Sequence, residues 1–273
     1  MNVNHVNIRN IITKTKIPNA DYTVNPYIGC THGCVYCCAE YMARFSGHKG
    51  EKWCSFLDVK ENYTFPSDKF QDKTILISSA TDPYNHFEKQ FEKTRAILLQ
   101  LTDSSAHIEI LTKSPMVLRD IDVLKRIKDI VVGFSLSSSD EIARLTEPFA
   151  PPPSERIEAM RVLHSAGIVV SALISPIIPF FSDYQPIVKA VGKYAAYVGF
   201  ENLNLRGGFR AEVLALIKEH FPRMFLRFAS IYNSRRAFYK YWHTRELEIH
   251  EFMRTMGNLP YKMYFFHGDE KKV

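Results

Sequence analysis

The chain has 273 residues, of which 46% are hydrophobic, and it carries a formal net charge of +6. That length suffices for one well-buried domain with a small addition. No apolar run approaches the ~20 residues of a membrane span, and the polar start from Met1 to Asn10 lacks the apolar core of a signal peptide. Five cysteines, three of them clustered, fit a reducing compartment better than a disulfide scaffold. We therefore expect a cytoplasmic protein with no membrane association.

The predicted elements begin after an extended, polar N-terminal arm over residues 1–21. The first strand is predicted at Tyr22–Ile28, and it leads through a glycine-containing loop into a helix at Cys37–Phe45. The stretch Ser46–Lys73 has no clear periodicity, and a loop of this length is usually functional or carries structure of its own.

From Thr74 the sequence alternates between strands and helices. Further strands are predicted at Thr74–Ser78, His107–Leu111, Ile130–Phe134, Ile168–Ile174 and Val198–Leu205. Helices are predicted at Phe87–Leu101, Pro115–Lys128, Ser154–Ala166 (with Ser154 as its N-cap), Gln185–Tyr197 and Ala211–His220. Apolar strands joined through helices indicate a parallel sheet covered by those helices.

Six strands are too few for a closed eight-stranded barrel. The predicted fold class is therefore α/β, with an open partial (β/α)6 barrel of the TIM type over residues 22–220. Residues 221–273 are aromatic and basic. We expect them to form a short, mostly helical C-terminal extension that packs on the barrel.

The most informative stretch contains Cys30, Cys34 and Cys37, which have the spacing C-x-x-x-C-x-x-C. A loop this tight can aim three thiolates at one point, and soft sulfur ligands hold iron well. An ordinary 4Fe–4S cluster has four cysteine ligands, so three leave one iron open to an outside ligand. The alternative is a zinc site, which needs a fourth ligand. The candidates for that fourth ligand are His32, Cys38 and Cys54.

The cysteine loop resembles that of the radical S-adenosylmethionine (SAM) superfamily. There the three cysteines hold a 4Fe–4S cluster, and the amino and carboxylate groups of SAM chelate the fourth iron. The wider resemblance is to the spore photoproduct lyase-like (DNA repair photolyase-like) branch, and it covers roughly Val24 to Phe221. The segments that carry it are Asn25–Cys37, Ser78–Tyr84, Thr112–Ser114, Leu118–Asp120, Phe134–Ser135, Glu147–Pro148, Arg156, Gly167 and Ser175–Pro176.

Polar residues follow all six predicted strands, at the carboxyl ends where parallel α/β barrels gather their chemistry. Turns favour such residues in any protein, but six groups on the face that carries the cysteines indicate a ligand site. The resemblance implies that Lys113 and Ser135 contact SAM, and Lys113 is the best-placed cation for its carboxylate. The full set predicted to bind SAM is Tyr36, Ser79, Thr81, Asp82, Lys113, Ser135, Ser137 and Ser175.

The chain departs from spore photoproduct lyase at the residues expected to carry the radical step. That enzyme has a cysteine after the second strand, which returns a hydrogen atom to the DNA product, whereas this chain has Ser78 and Ser79. That enzyme also has a tyrosine on each side of the third cluster cysteine, whereas this chain has Tyr36 before Cys37 and Cys38 after it. We predict Tyr36 and Cys38 as catalytic residues, with simple packing as the alternative for Cys38.

The predicted function is a radical SAM enzyme. It would cleave SAM reductively at a 4Fe–4S cluster and use the 5′-deoxyadenosyl radical to abstract a hydrogen atom from its substrate. The alternatives are a DNA-repair lyase acting on a pyrimidine photoproduct and a non-catalytic zinc-binding nucleic-acid module. The mechanism implies a one-electron donor such as flavodoxin or ferredoxin as partner. A nucleic-acid substrate is compatible with the charge but not favoured. Arg206 and Arg210 near the barrel mouth are candidates to hold an anionic substrate group, with helix capping or ion pairing as the alternative.

Overall fold

A computed structural model describes residues 1–63, 65 and 70–267 of the chain. Its strands are β1 (Asn2–Asn7), β2 (Ile12–Lys14), β3 (Tyr22–Val24), β4 (Tyr27–Ile28), β5 (Phe56–Glu61), β6 (Thr74–Ile77), β7 (His107–Thr112), β8 (Ile130–Ser135), β9 (Val169–Ile177), β10 (Ala195–Asn202) and β11 (Tyr261–Met263). The main sheet has the order β11-β10-β9-β8-β7-β6-β3-β2. All its neighbouring strands are parallel except β2 and β3. The expected α/β architecture with a parallel sheet is therefore present.

The helices mostly lie between the parallel strands, as expected for an α/β fold. They are α1 (Glu88–Phe91), α2 (Lys93–Leu101), α3 (Ile121–Leu124), α4 (Asp140–Thr146), α5 (Pro153–Ser165), α6 (Tyr184–Val191), α7 (Arg210–His220), α8 (Pro222–Ile231) and α9 (Arg235–Thr255). Two further segments are 3-10 helices, Cys38–Phe45 and Pro115–Asp120. One hydrophobic core joins the sheet to these helices. All six residues of β8 are buried, and Ile130, Val132 and Phe134 belong to that core.

Two predicted elements are each divided in the structure for local reasons. The strand expected at Tyr22–Ile28 is divided between two sheets, and Pro26, which has no N–H to donate, lies at the break. The helix expected at Phe87–Leu101 is broken at Glu92, whose φ is +49°. The buried Glu88 carboxylate accepts hydrogen bonds from the N–H groups of Thr94 and Arg95, which caps the second helix separately.

The start of α5 also differs from the prediction. Its N-cap is Pro152, and Pro153 is the first helical residue, so Ser154 lies one position too far along to cap the helix. Proline suits the first helical position because its missing N–H would have no partner there. The Ser154 hydroxyl instead donates to Asp140 at 2.6 Å.

The two ends of the chain contribute strands that the sequence did not predict. Within residues 1–21, β1 pairs with β5 to build a small sheet of order β1-β5-β4, and β2 joins the main sheet. Within residues 221–273, helices α8 and α9 match the expected helical character, but β11 adds a parallel strand beside β10. No helix in the described part of the chain is both long and apolar enough to span a membrane.

Candidate functional site

A cavity of about 250 Å³ lies at the carboxyl ends of the main-sheet strands. The cysteine loop forms one wall, and residues at or after the ends of β6 to β10 form the others. The three predicted ligand cysteines line it, and so does Cys38. Among the residues predicted to bind SAM, those that line it are Tyr36, Ser79, Thr81, Asp82, Lys113, Ser135 and Ser175. The fold therefore brings together most of the predicted site.

The cysteine loop depends on glycine at two positions. Gly29 has a φ of +92°, and a Cβ there would lie 2.5 Å from the carbonyl oxygen of Phe56. Gly33 has a φ of +64°, and its Cβ would lie 2.8 Å from the ring of Phe149. Both conformations and both close approaches favour glycine, so the loop can fold back tightly and turn its thiols toward one cavity.

The thiols of Cys30, Cys34 and Cys37 are free and partly buried. Burial raises the pKa of all three, that of Cys37 to about 12. The Trp53 indole packs against Cys30 and Cys37, and its N–H lowers the pKa of Cys37. Its N–H is buried and has no hydrogen-bond partner with ordinary geometry. Bound metal would take the thiols as thiolates, so loading the site must release their protons.

These thiols do not converge as the ligands of one metal ion would. In residues 1–63, 65 and 70–267, no group of three or more His, Cys, Asp or Glu side chains is arranged to hold a single ion. A cluster of four irons is larger than one ion and holds its sulfur ligands farther apart. The three cysteines line one cavity, and their soft thiolates are suitable ligands for an iron–sulfur cluster with one open iron.

Lys113 supplies a positive charge to the cavity at the end of β7. Its Nζ donates a hydrogen bond of 2.6 Å to Ser135 Oγ and lies 3.5 Å from Glu147 Oε1. Ser135 Oγ donates in turn to the carbonyl oxygen of Ser175 at 3.1 Å. The ammonium also lies 5.7 Å from the centre of the Tyr36 ring. A cation and two hydroxyl-bearing residues from successive strand ends thus meet beside the cysteine loop.

The buried carboxylate of Glu147 anchors the side chains of Lys113 and Tyr36, although the sequence analysis did not assign Glu147 to the site. It is fully buried and accepts hydrogen bonds from Tyr36 OH, Ser137 Oγ and Arg156 Nη2. Burial alone would raise the pKa of its carboxyl, but the charges of Lys113 and Arg156 outweigh burial and hold it at about 2. Glu147 could have been predicted, because the Glu147-Pro148 segment is among those that carry the sequence resemblance.

This network places Ser137 differently from the other predicted contacts. Its side chain is fully buried and bonded to Glu147 at 2.5 Å, and it does not line the cavity. The Tyr36 hydroxyl is likewise held by Glu147, so the tyrosine presents its ring to the cavity. Ser137 is therefore placed to hold Glu147 rather than to touch a ligand.

Asp82 joins the segment after β6 to both β7 and the cysteine loop. Its Oδ1 accepts from Thr112 Oγ1 at 2.7 Å, and its Oδ2 accepts from the Lys113 backbone N–H at 2.7 Å. Oδ2 also lies 3.1 Å from His32 Nε2. Burial opposes ionisation, yet these partners, His32 foremost, lower the pKa of Asp82 to about 2. Both oxygens serve the protein, so Asp82 mainly positions the site.

The same segment is held by contacts that the sequence analysis did not predict. Asn25 Oδ1 accepts from the backbone N–H groups of Ser79 and Ala80 at 2.9 and 3.0 Å, and its Nδ2 donates to Ser79 Oγ at 3.1 Å. Thr81 Oγ1 donates to the carbonyl oxygen of Gly29 at 2.5 Å. The segment after β6 is thereby tied to the beginning of the cysteine loop.

Cys38 faces Glu201 across the cavity. Cys38 begins the 3-10 helix after the cysteine loop and is exposed to the cavity. Its pKa is raised by burial and by the negative charge of Glu201. Glu201, near the end of β10, accepts a hydrogen bond from Ser175 Oγ, and burial raises its pKa. The sequence analysis missed Glu201, although a glutamate inside the predicted strand Val198–Leu205 was a usable signal.

Comparison with known proteins identifies the family. The family model described as the Radical SAM superfamily matches residues 24–189. Uncharacterized protein MJ0683 of Methanocaldococcus jannaschii is 36% identical over 232 residues, which make up 84% of this chain and 86% of that protein. Uncharacterized protein Rv2578c of Mycobacterium tuberculosis is 26% identical over 238 residues, covering 80% of this chain and 70% of that protein.

Solved structures add a comparison of folds. A mutant of spore photoproduct lyase matches with a TM-score of 0.69 at 15% identity, covering 97% of this chain and 82% of that chain. Another mutant of the same enzyme, with bound AdoMet and dinucleoside spore photoproduct, matches with a TM-score of 0.66 at 14% identity and the same coverage. At identities this low, the structural matches show a shared fold and no more. The family is shown by the family model, which matches more than half of this chain. The chain therefore belongs to the radical SAM superfamily and has the fold of spore photoproduct lyase.

Proposed function

We propose that this protein is a radical SAM enzyme that cleaves SAM reductively at a 4Fe–4S cluster held by Cys30, Cys34 and Cys37. The resulting 5′-deoxyadenosyl radical would abstract a hydrogen atom from the substrate. The observation that carries the proposal is the common cavity, which is lined by all three thiols and by the Lys113 ammonium. In this proposal the main sheet curves as an open partial TIM-type barrel around the ligands, and a flavodoxin or ferredoxin supplies the electron.

The bound cofactors would supply the electron and the radical, so the chain's own residues bind, orient and exclude water. Lys113 would hold the SAM carboxylate, because its ammonium lies in the cavity and its nearest carboxylate, Glu147, is also shared with Arg156. The hydroxyl of Ser135 would keep the ammonium in place. Tyr36 and the Ser175 segment would provide the face for adenine, and Ser79 and Thr81 would face the ribose hydroxyls and the ammonium group of SAM.

Reconstitution with a matched pair of cysteine variants tests the proposal. Wild type, Cys34→Ala and Cys54→Ala would be loaded anaerobically with iron and sulfide, then given dithionite and SAM. Cys54 is the right control because it is a free cysteine near the loop that does not line the cavity. We expect wild type and Cys54→Ala to bind about four irons and form 5′-deoxyadenosine, and Cys34→Ala to lose both properties. A full cluster in Cys34→Ala, or its loss in Cys54→Ala, would contradict the assigned ligands.

A DNA-repair lyase remains the second candidate, because the fold is that of an enzyme solved with a dinucleoside spore photoproduct. Against it, the segment after β6 carries Ser78 and Ser79 and no thiol. Incubating the reconstituted protein with dinucleoside spore photoproduct separates the two: splitting to thymidine products would favour the lyase. The zinc-module alternative would require about one zinc per chain and no iron after purification under anaerobic conditions.

A further inference from the structure

A small basic cavity lies beside the proposed active site, between the starts of two helices. Its volume is about 150 Å³, roughly the space of five water molecules. Arg210 is the first residue of α7 and Arg235 is the first residue of α9, and both line it together with Arg206. No carboxylate side chain is among the described residues of its wall.

Two of the three arginines of this cavity form no ion pair with a carboxylate in residues 1–63, 65 and 70–267, and these are Arg210 and Arg235. The guanidinium of Arg206 stacks on the ring of Phe266 at 4.2 Å. Nδ1 of His267, another wall residue, is buried and has no hydrogen-bond partner among the described residues. Guanidinium groups at helix starts, where the helix dipoles add positive potential, form a favourable environment for an anion.

The basic cavity adjoins the cysteine cavity at one shared wall residue. Asn204 lines both of them, directly after β10. A third cavity, of about 960 Å³ against the main sheet, shares Phe266 with the basic cavity and shares Leu111 and Glu201 with the cysteine cavity. A molecule anchored among the arginines can therefore extend past Asn204 toward the cysteine loop.

We propose that the basic cavity binds the anionic group of the substrate, a phosphate or a carboxylate, and so positions the rest of the substrate for hydrogen abstraction. This role rests on the proposed function, because it presumes that the reaction takes place in the cysteine cavity. The substrate class is thus a molecule whose anchoring anion is set apart from the atom that loses hydrogen.

The test measures binding of two probes, inorganic phosphate and acetate, to the full-length chain by calorimetry at constant ionic strength. Wild type would be compared with Arg210→Gln, Arg235→Gln and the control Arg223→Gln, which removes an exposed arginine of α8 outside the cavity. Thermal melting would verify that each variant is folded, and Arg210→Lys would keep the charge while losing the planar guanidinium fork.

We expect one probe to bind wild type and Arg223→Gln equally, and to bind Arg210→Gln and Arg235→Gln about ten- to a hundredfold more weakly. The probe that binds identifies the group as phosphate or carboxylate. Equal affinity in all variants, or no binding in wild type, would overturn the proposal. Because neither probe needs iron or SAM, a failed reconstitution would leave this result intact and would count against the proposed function alone.

A further variant separates a substrate site from a site filled by the chain itself. Asp269 and Glu270 follow His267 closely in the sequence. The double variant Asp269→Asn/Glu270→Gln should bind the probe as wild type does. Probe binding that appears only in this variant would assign the cavity to the chain's own carboxylates, and would overturn its role in holding substrate.

Discussion

Replacing Glu147 with glutamine would test how the buried network holds the site together. Glu147 and Arg156 are both fully buried, and the carboxylate accepts hydrogen bonds from Arg156, Tyr36 and Ser137. Its pKa lies at about 2, against an ordinary value of 4.5. At ~1.4 kcal/mol per pKa unit, the folded protein favours the ionised carboxylate by about 3 kcal/mol. Breaking a buried ion pair on one side costs ~3–5 kcal/mol, which agrees with that magnitude.

The assay is urea unfolding of the full chain at pH 7, with Glu158→Gln as the control. Glu158 forms an exposed pair with Arg161, so its loss should change the unfolding free energy far less. We expect Glu147→Gln to lower the free energy of unfolding by about 3 kcal/mol. A loss below about 1 kcal/mol, or an equal loss in the control, would refute the assignment of Glu147 as the anchor.

The pH dependence of that difference has a defined sign. Because the pKa of Glu147 is lowered in the folded state, its ionised form stabilises the fold above pH 4.5. As the pH falls from 4.5 toward 2, the unfolded chain takes up the proton first, so the advantage of wild type over Glu147→Gln should shrink. An advantage that grows over this range would show that the carboxylate is not stabilised as described.

The remaining predictions concern the cofactors. Lys113→Gln should keep its iron but bind SAM about ten- to a hundredfold more weakly, through loss of a charged hydrogen bond, and unchanged affinity in calorimetry would exclude the contact. Cys38→Ala should keep both its iron and its 5′-deoxyadenosine formation, because Cys38 lies outside the ligand spacing; loss of iron would make it a ligand. Trp53→Phe should give a full cluster with a more negative reduction potential in spectroelectrochemistry, since an N–H near a cysteine sulfur favours the reduced cluster; an unchanged potential would assign the indole to packing.

The sequence was most informative where periodic apolar strands and a fixed ligand spacing coincide. The strands β6 to β10 and the polar residues at their ends were predictable, because the carboxyl ends of parallel strands meet at one edge of a sheet. The strands β1, β5 and β11 were not predictable. They are held by pairing with distant segments, and such pairing leaves no periodic pattern in the local sequence.

Within the site, the residues missed are those that act through other residues. Asn25 works through backbone N–H groups and Glu147 through a buried charge network, and neither contact follows from sequence spacing. The hydroxyl of Ser137 looked like its neighbour Ser135 in the sequence. Ser135 ends β8 and lines the cavity, whereas Ser137 lies beyond the strand and is turned toward the buried Glu147, which a period-two strand pattern would not show.

The position of β11 has a consequence for how the chain is made. Until β11 pairs with it, β10 is an edge strand with unpaired backbone groups, and the wall formed by Tyr264 and Phe266 beside Glu201 is missing. About 60 residues separate the two strands in the sequence, which a ribosome adds in roughly 3–12 s at ~5–20 residues per second. During that interval the nascent sheet presents an open edge to other chains, so chaperone protection of β10 would guard against aggregation during synthesis.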